Sequence, residues 1–341
     1  MILLNEMINT DRKIIECVPN FSEGQNADII DKIASSVQST RNVKLLNVEP
    51  DRDYNRTVIT FAGEPLYVKE AAFKAISTAA ELIDMSQQKG EHPRIGATDV
   101  CPMIPVANVT KDECVILSDE LGKDVGEKLG IPVYLYENTA RSAERRNLEN
   151  IRRGEYEGLE QKLKDWIPDY GPAEYNQKVK KSGATVIGSR FFLIAYNVNL
   201  NTRDVSIANE IAKKIRESGS MTIDETGIKK RVPGLLKCVK AIGVELNEYN
   251  ITQVSLNLTN YKEISMHEVF ESIKAQAKVH GIEATGSEVI GLVPKEALIE
   301  AGAFYIGNSP EANLIEAAIK HLGLSQLNRF EPEKKIIENL L

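Results

Sequence analysis

Apolar positions along the chain fall into two successive series, each alternating strand-like runs with helical periods. Residues 13–18 form a short apolar-rich run ended by Pro19 and Asn20, and Phe21-Ser22-Glu23-Gly24 reads as a turn. Ile29, Ile30, Ile33 and Val37 then recur at helical spacing across 27–37. Runs at 43–48 and 57–61 predict strands on either side of a dense polar loop, residues 49–56. Val68, Ala71, Ala72, Ala75 and Ile76 predict a long helix over 65–85. A strand at 100–106 follows, with prolines that suit an edge or irregular position. A helix at 111–129 and a strand at 132–136 complete a β-α-β-β-α-β-α-β order, close to the split βαβ arrangement.

Residues 141–164 read as helical and charged, and 166–181 as an extended connector punctuated by Pro and Gly. A second series begins near Gly183. It predicts strands at 191–198, 239–246, 251–258 and 288–294, with 247–250 as a turn. Its helices fall at 202–217, where Ile207, Ile211 and Ile215 share a face, and at 265–280, 295–301 and 310–321. The predicted fold class is α/β (α+β): two ferredoxin-like subdomains, each a mixed β-sheet with helices on its outer face, divided as 1–190 and 191–336.

Composition narrows the partners. The 42% hydrophobic and 27% charged fractions describe an ordinary globular chain with material for a full core. No run approaches the ~18 apolar residues of a membrane span. The apolar start, Met1-Ile2-Leu3-Leu4, is cut off by Asn5 and Glu6, unlike a secretion signal. A net charge of −7 argues against general nucleic-acid binding. Cys17, Cys101, Cys114 and Cys238 lie far apart without a CxxC, as expected of reduced thiols in the cytoplasm.

The chemistry concentrates in residues 83–106. Gly90, Pro93 and Gly96 punctuate a polar loop that carries His92, one of 4 histidines, between Glu91 and Arg94. A histidine titrates near neutrality and suits proton transfer. An isolated loop histidine is ordinarily a solvated one, so the surrounding strings decide. His267, His280 and His321 read as helix-surface or helix-end residues. No GxGxxG or Walker string, no zinc spacing and no Ser-centred elbow is present, and no metal site is predicted. Cys17 and Cys101, in or beside strands, read as small core residues.

Several unusual strings occur in order: residues 16–24 (Glu-Cys-Val-Pro-Asn-Phe-Ser-Glu-Gly), Asn55-Arg56-Thr57-Val58, Lys89-Gly90-Glu91-His92-Pro93-Arg94 with Asp99-Val100-Cys101-Pro102, Gly183-Ala184-Thr185 and Gly291-Leu292-Val293-Pro294. Together they resemble the formiminotransferase family, the folate-dependent glutamate formimidoyltransferases. The resemblance implies transfer of a formimidoyl group between N-formimidoyl-L-glutamate and N5 of tetrahydrofolate, in histidine degradation and one-carbon metabolism. It implies tetrahydrofolate as co-substrate, no metal, no membrane, a homodimer in the cytoplasm, and the transferase alone without a cyclodeaminase. The same scaffold could take another donor, formimidoyl-glycine or 5-formyl-tetrahydrofolate, or bind folate without turnover. By family match His92 is the general acid/base. Glu49, Asp51, Asp53, Asp84, Glu91 and Asp99 are carboxylates that could orient it or hold the formimidoyl nitrogen, with Glu49 preferred at a strand end. Arg56, Arg94 and Arg190 are the candidate carboxylate clamps. The family's folate segment corresponds to Gly171, Pro172, Ala173, Glu174 and Tyr175 through to Gly183, with Lys178, Lys180 and Lys181 in its interior.

Overall fold

The computed structural model describes residues 12–52, 54–90, 92–223 and 229–340, and Pro19 leaves its mark at the outset. Proline has no amide to donate. The first strand is therefore laid down in two pieces, β1 (Ile14–Cys17) and β2 (Asn20–Phe21), although the Pro19 carbonyl still accepts from Ile59 at 3.1 Å. Next come α1 (Ala27–Gln38), β3 (Val43–Asp51), β4 (Arg56–Gly63), α2 (Pro65–Leu82), β5 (Thr98–Ala107), α3 (Lys111–Leu129) and β6 (Val133–Leu135). Asn26 caps α1 and Thr110 with Glu113 forms a capping box on α3. The buried alanines Ala71, Ala72, Ala75 and Ala79 give α2 a flat face for close packing in the core.

Three short helices follow, α4 (Leu148–Arg152), α5 (Leu159–Asp165) and α6 (Gln177–Ser182), before β7 (Thr185–Ser189). The sheet order is β3-β4-β1/β2-β5-β7-β6; β7 runs parallel to both β5 and β6, and the other pairs are antiparallel. The chain divides into two compact units, Met1–Arg190 and Phe191–Leu341.

The second unit contains β8 (Ile194–Leu200), α7 (Val205–Ile215), a hairpin of β9 (Ser220–Ile223) and β10 (Lys229–Val232), then β11 (Val239–Leu246), β12 (Ile251–Leu258), α8 (Met266–Val279), β13 (Ala284–Ile290), α9 (Lys295–Ile306) and α10 (Glu311–His321). Its four-stranded order, β11-β12-β8-β13, repeats the β3-β4-β1/β2-β5 order of the first unit. Both units thus carry the βαββαβ ferredoxin-like arrangement. The sheet is mixed only in the first unit. In the second every pairing in the four-stranded sheet is antiparallel, because no described strand joins that sheet beyond the motif.

Four expectations need correction. The polar stretch from Glu49 is strand as far as Asp51, which pairs with Arg56, because backbone pairing in an edge hairpin does not depend on side-chain polarity. Residues 141–164 are not one helix: Gly154 and Glu155 take positive φ of 84° and 53° and break it. The connector at 166–181 ends in α6, and the strand after Gly183 is β7, which belongs to the first sheet. His267 is buried on α8, stacked on Phe304 at 4.3 Å, and its burial lowers its pKa.

Candidate functional site

The loop after α2 is fixed from several directions before any side chain acts. Its first turn is local: the Asp84 carbonyl accepts Gln87 and Gln88 amides at 3.0 and 3.1 Å, and its carboxylate takes Ser86. The Met85 amide reaches the Lys181 carbonyl at 2.8 Å, which docks the loop on α6. At Gly90 an added methyl would stand 2.5 Å from the Tyr54 carbonyl and 2.7 Å from Asn55 Cβ, so only glycine admits the β3–β4 hairpin tip. Asn55, at φ 48°, ties that tip down: it donates to the Lys89 carbonyl at 2.6 Å and accepts from the Gly24 amide at 2.9 Å. At the far end Gly96 bridges Gly183, the Ala97 amide donates to Ser182 at 2.8 Å, and the Ser22 hydroxyl donates to Gly96 at 2.8 Å. Three distant strings, around Gly24, Asn55 and Gly183, therefore converge on the loop that carries His92.

The imidazole is half-buried, and its pKa is pushed from the ordinary 6.5 down to about 4. Burial is the largest cause, followed by the positive charges of Arg152, Arg56 and Arg94, with Asp51 pulling the other way. His92 is thus uncharged at neutral pH. Arg56 donates to Asn20 Oδ1 at 3.4 Å and lies 5.8 Å from the Tyr54 ring centre, and its buried Nε has no protein partner.

Arg94 does not have the free guanidinium expected of a clamp. It is 5% exposed; its Nε donates to Gln88 Oε1 at 2.8 Å, and its terminal nitrogens meet both oxygens of Glu157 at 2.9 and 2.8 Å. Glu155 adds a further bond at 3.2 Å. This side chain staples the loop to the α4–α5 segment. Asp99 is buried too, which raises its pKa, while Arg152 and the Ile95 amide oppose that rise.

The other candidates disperse. Glu49 is exposed on β3 and accepts Asn47 at 2.6 Å; Asp51 is the carboxylate whose charge acts on His92. Asp53 and Glu91 lie outside the described residues. The charge of Arg190 acts on the Cys17 thiol and the Tyr136 hydroxyl. Gly171, at φ 82°, packs against Ile131 beside β6, and Ala173 and Glu174 are exposed, with Pro172 half-buried between Gly171 and them. Tyr175 is nearer: its hydroxyl donates to that of Tyr156 at 3.2 Å, and the Tyr156 amide donates to the Arg94 carbonyl at 2.8 Å. Lys181 donates to the Glu81 carbonyl at 2.6 Å. Cys17 and Cys101 are buried free thiols, their sulfurs 3.5 Å apart. Among the described residues no three His, Cys, Asp or Glu side chains gather as a metal site requires. No helix there is long and apolar enough to cross a membrane. Arg152 and Tyr156 escaped sequence reading, since a charged stretch without periodicity marks neither.

Residues 14–190 match the sequence model of the "Formiminotransferase domain, N-terminal subdomain", and residues 195–341 that of the "Formiminotransferase domain". The chain is 45% identical, over 96% of its length, to a formimidoyltransferase-cyclodeaminase of Dictyostelium discoideum, and spans 60% of that relative. It is 41% identical to a glutamate formimidoyltransferase of Streptococcus pyogenes serotype M1, covering 96% of this chain and 99% of that one. A glutamate formimidoyltransferase of Thermoplasma acidophilum is also 41% identical, over 89% of this chain and 96% of its own. Two matched domains, and two relatives aligned over nearly their whole length, leave one assignment: the chain belongs to the formiminotransferase family.

Proposed function

We propose that the protein is a glutamate formimidoyltransferase that moves the formimidoyl group of N-formimidoyl-L-glutamate to N5 of tetrahydrofolate. N5 attacks the amidine carbon, a tetrahedral intermediate forms, and the carbon–nitrogen bond to glutamate breaks. The proton lost by N5 must end on the departing glutamate amine. His92 takes that proton and returns it, acting as base and then acid. The observation that carries this is the neutral, half-buried His92, bordered by cations, on a loop where three distant strings meet. Arg56, with its unmatched Nε, is the residue placed to receive a substrate carboxylate. An anion set against Arg56 and Arg152 offsets the charges that hold His92 neutral. Donor binding therefore favours the imidazolium when the leaving amine needs a proton.

The family assignment and the two formimidoyltransferase relatives support tetrahydrofolate as the acceptor. The same proposal makes the protein a cytoplasmic homodimer that serves histidine breakdown. Its direct test is an incubation of purified protein with N-formimidoyl-L-glutamate and tetrahydrofolate. Equal amounts of 5-formimidoyl-tetrahydrofolate and glutamate are expected, and neither forming at saturation would reject it.

The pH profile follows from the same charges. The free protein needs neutral His92, whose pKa is about 4, so kcat/KM is retained above that value and lost as pH falls through it. The acid limb of kcat is expected at higher pH, because bound donor offsets the arginines. Rate profiles with each substrate check both limbs; a kcat/KM limb at the ordinary 6.5 would contradict them.

A further inference from the structure

The α4–α5 segment grips the His92 loop at three points. Asp99 is 1% exposed; one carboxylate oxygen accepts the Ile95 amide at 3.0 Å. Its other oxygen accepts both Nε of Arg152, at 3.0 Å, and a terminal nitrogen of the same side chain. Beyond α4, the Tyr156 amide holds the Arg94 carbonyl, and Glu157 takes both terminal nitrogens of Arg94. Arg94 and Ile95 stand two and three residues after His92, so these bonds fix the backbone that carries the imidazole. We propose that Arg152, anchored by Asp99, is a positioning residue for His92: it ties the loop to the end of α4 and fixes where the imidazole stands. This rests on the acid–base role given to His92 above.

Among the described residues, the charges that act most on His92 are those of Arg152 at the end of α4, Arg56 on β4, Arg94 in its own loop, and Asp51 at the end of β3. Arg152 acts most strongly among them. Its two-nitrogen grip on one buried oxygen also suits arginine better than lysine, whose ammonium is a rotatable point charge. Position and charge are thus set by one side chain, and they can be separated by substitution.

The test follows the His92 imidazole by NMR titration in the native protein, in Arg152→Lys, in Arg152→Met, and in the double variant Asp99→Asn/Arg152→Met. The double variant removes the buried carboxylate that Arg152→Met alone would strand. The titration midpoint, about 4 in the native protein, is expected to rise towards 6.5 in both methionine variants. Arg152→Lys keeps the charge and a low midpoint but loses the grip, lowering kcat by roughly tenfold to a hundredfold. A folded double variant with an unmoved midpoint, or Arg152→Lys with native kcat, overturns the proposal. The titration needs no turnover, so a protein that fails to make product would reject the transferase assignment without deciding this one.

Discussion

His92→Ala is expected to lower kcat for formimidoyl transfer by ~10²–10⁴-fold, the ordinary worth of a positioned acid–base group. In the proposed mechanism two proton movements depend on it, removal from N5 and delivery to the glutamate amine, and several described neighbours are already engaged elsewhere. Arg94 is committed to Glu157 and Gln88, Asp99 to Arg152 and Ile95, and Asp84 to its own turn. KM should change little, because Arg56 remains and the side chain removed holds no substrate charge. A loss confined to kcat, with kcat/KM falling in step, marks an interaction made in the transition state. Circular dichroism and a thermal midpoint near that of the native protein would show that the fold survives. Full turnover in the folded variant would remove His92 from the mechanism.

Gly183→Ala is expected to be the most damaging single-methyl change near the site. Gly183 has φ 68° and ψ −155°, a conformation that L side chains rarely adopt. A methyl there would also overlap the Ile95 carbonyl and Gly96 Cα, both backbone atoms at the foot of the His92 loop. Side chains can rotate away from a collision; two paired backbone segments cannot. Strain and displacement together should cost about 2–4 kcal/mol. For a domain of this size that lowers the thermal midpoint by roughly 5–15 °C. Gly281→Ala supplies the comparison, since Gly281 has φ 70° with nothing within 4 Å of the added methyl. It should show only the conformational cost, about 1–2 kcal/mol. Activity should fall with Gly183→Ala beyond any loss of folded protein, because the displaced Gly96 carries the His92 loop with it. Equal effects of the two substitutions on stability would show that the collision relaxes freely.

Much of the architecture was legible before the structure. Long helices announce themselves by period, as with Ile29, Ile33 and Val37 on α1 or Ile207, Ile211 and Ile215 on α7. The βαββαβ order follows once those helices separate runs of matching length. Short elements lack that redundancy. β7 is five residues, Thr-Val-Ile-Gly-Ser, buried throughout, so it shows no alternation between two faces. The two-residue β2 and the β9–β10 hairpin are equally silent. Residues 141–164 carry helix-forming composition, yet left-handed Gly154 and Glu155 are local backbone states that composition does not report.

The site divides in the same way. Gly90, Pro93 and Gly96 around His92 mark a constrained loop, because such punctuation acts locally, and His92 is its candidate proton-transfer residue. Which arginine stands free is not a local property. Arg94 is neutralised by Glu155 and Glu157, some sixty residues on, while Arg56 keeps an unmatched Nε. Likewise Asp51, rather than the preferred Glu49, acts on His92, because β3 extends past Glu49 and leaves its side chain exposed beside Asn47. The sequence by itself determined the alternation of elements and the loop that bears His92, since periodicity and Gly/Pro geometry act over a few residues. Only the tertiary structure decided which charges surround that imidazole, since charge acts through space and the neighbours of His92 come from β3, β4 and α4.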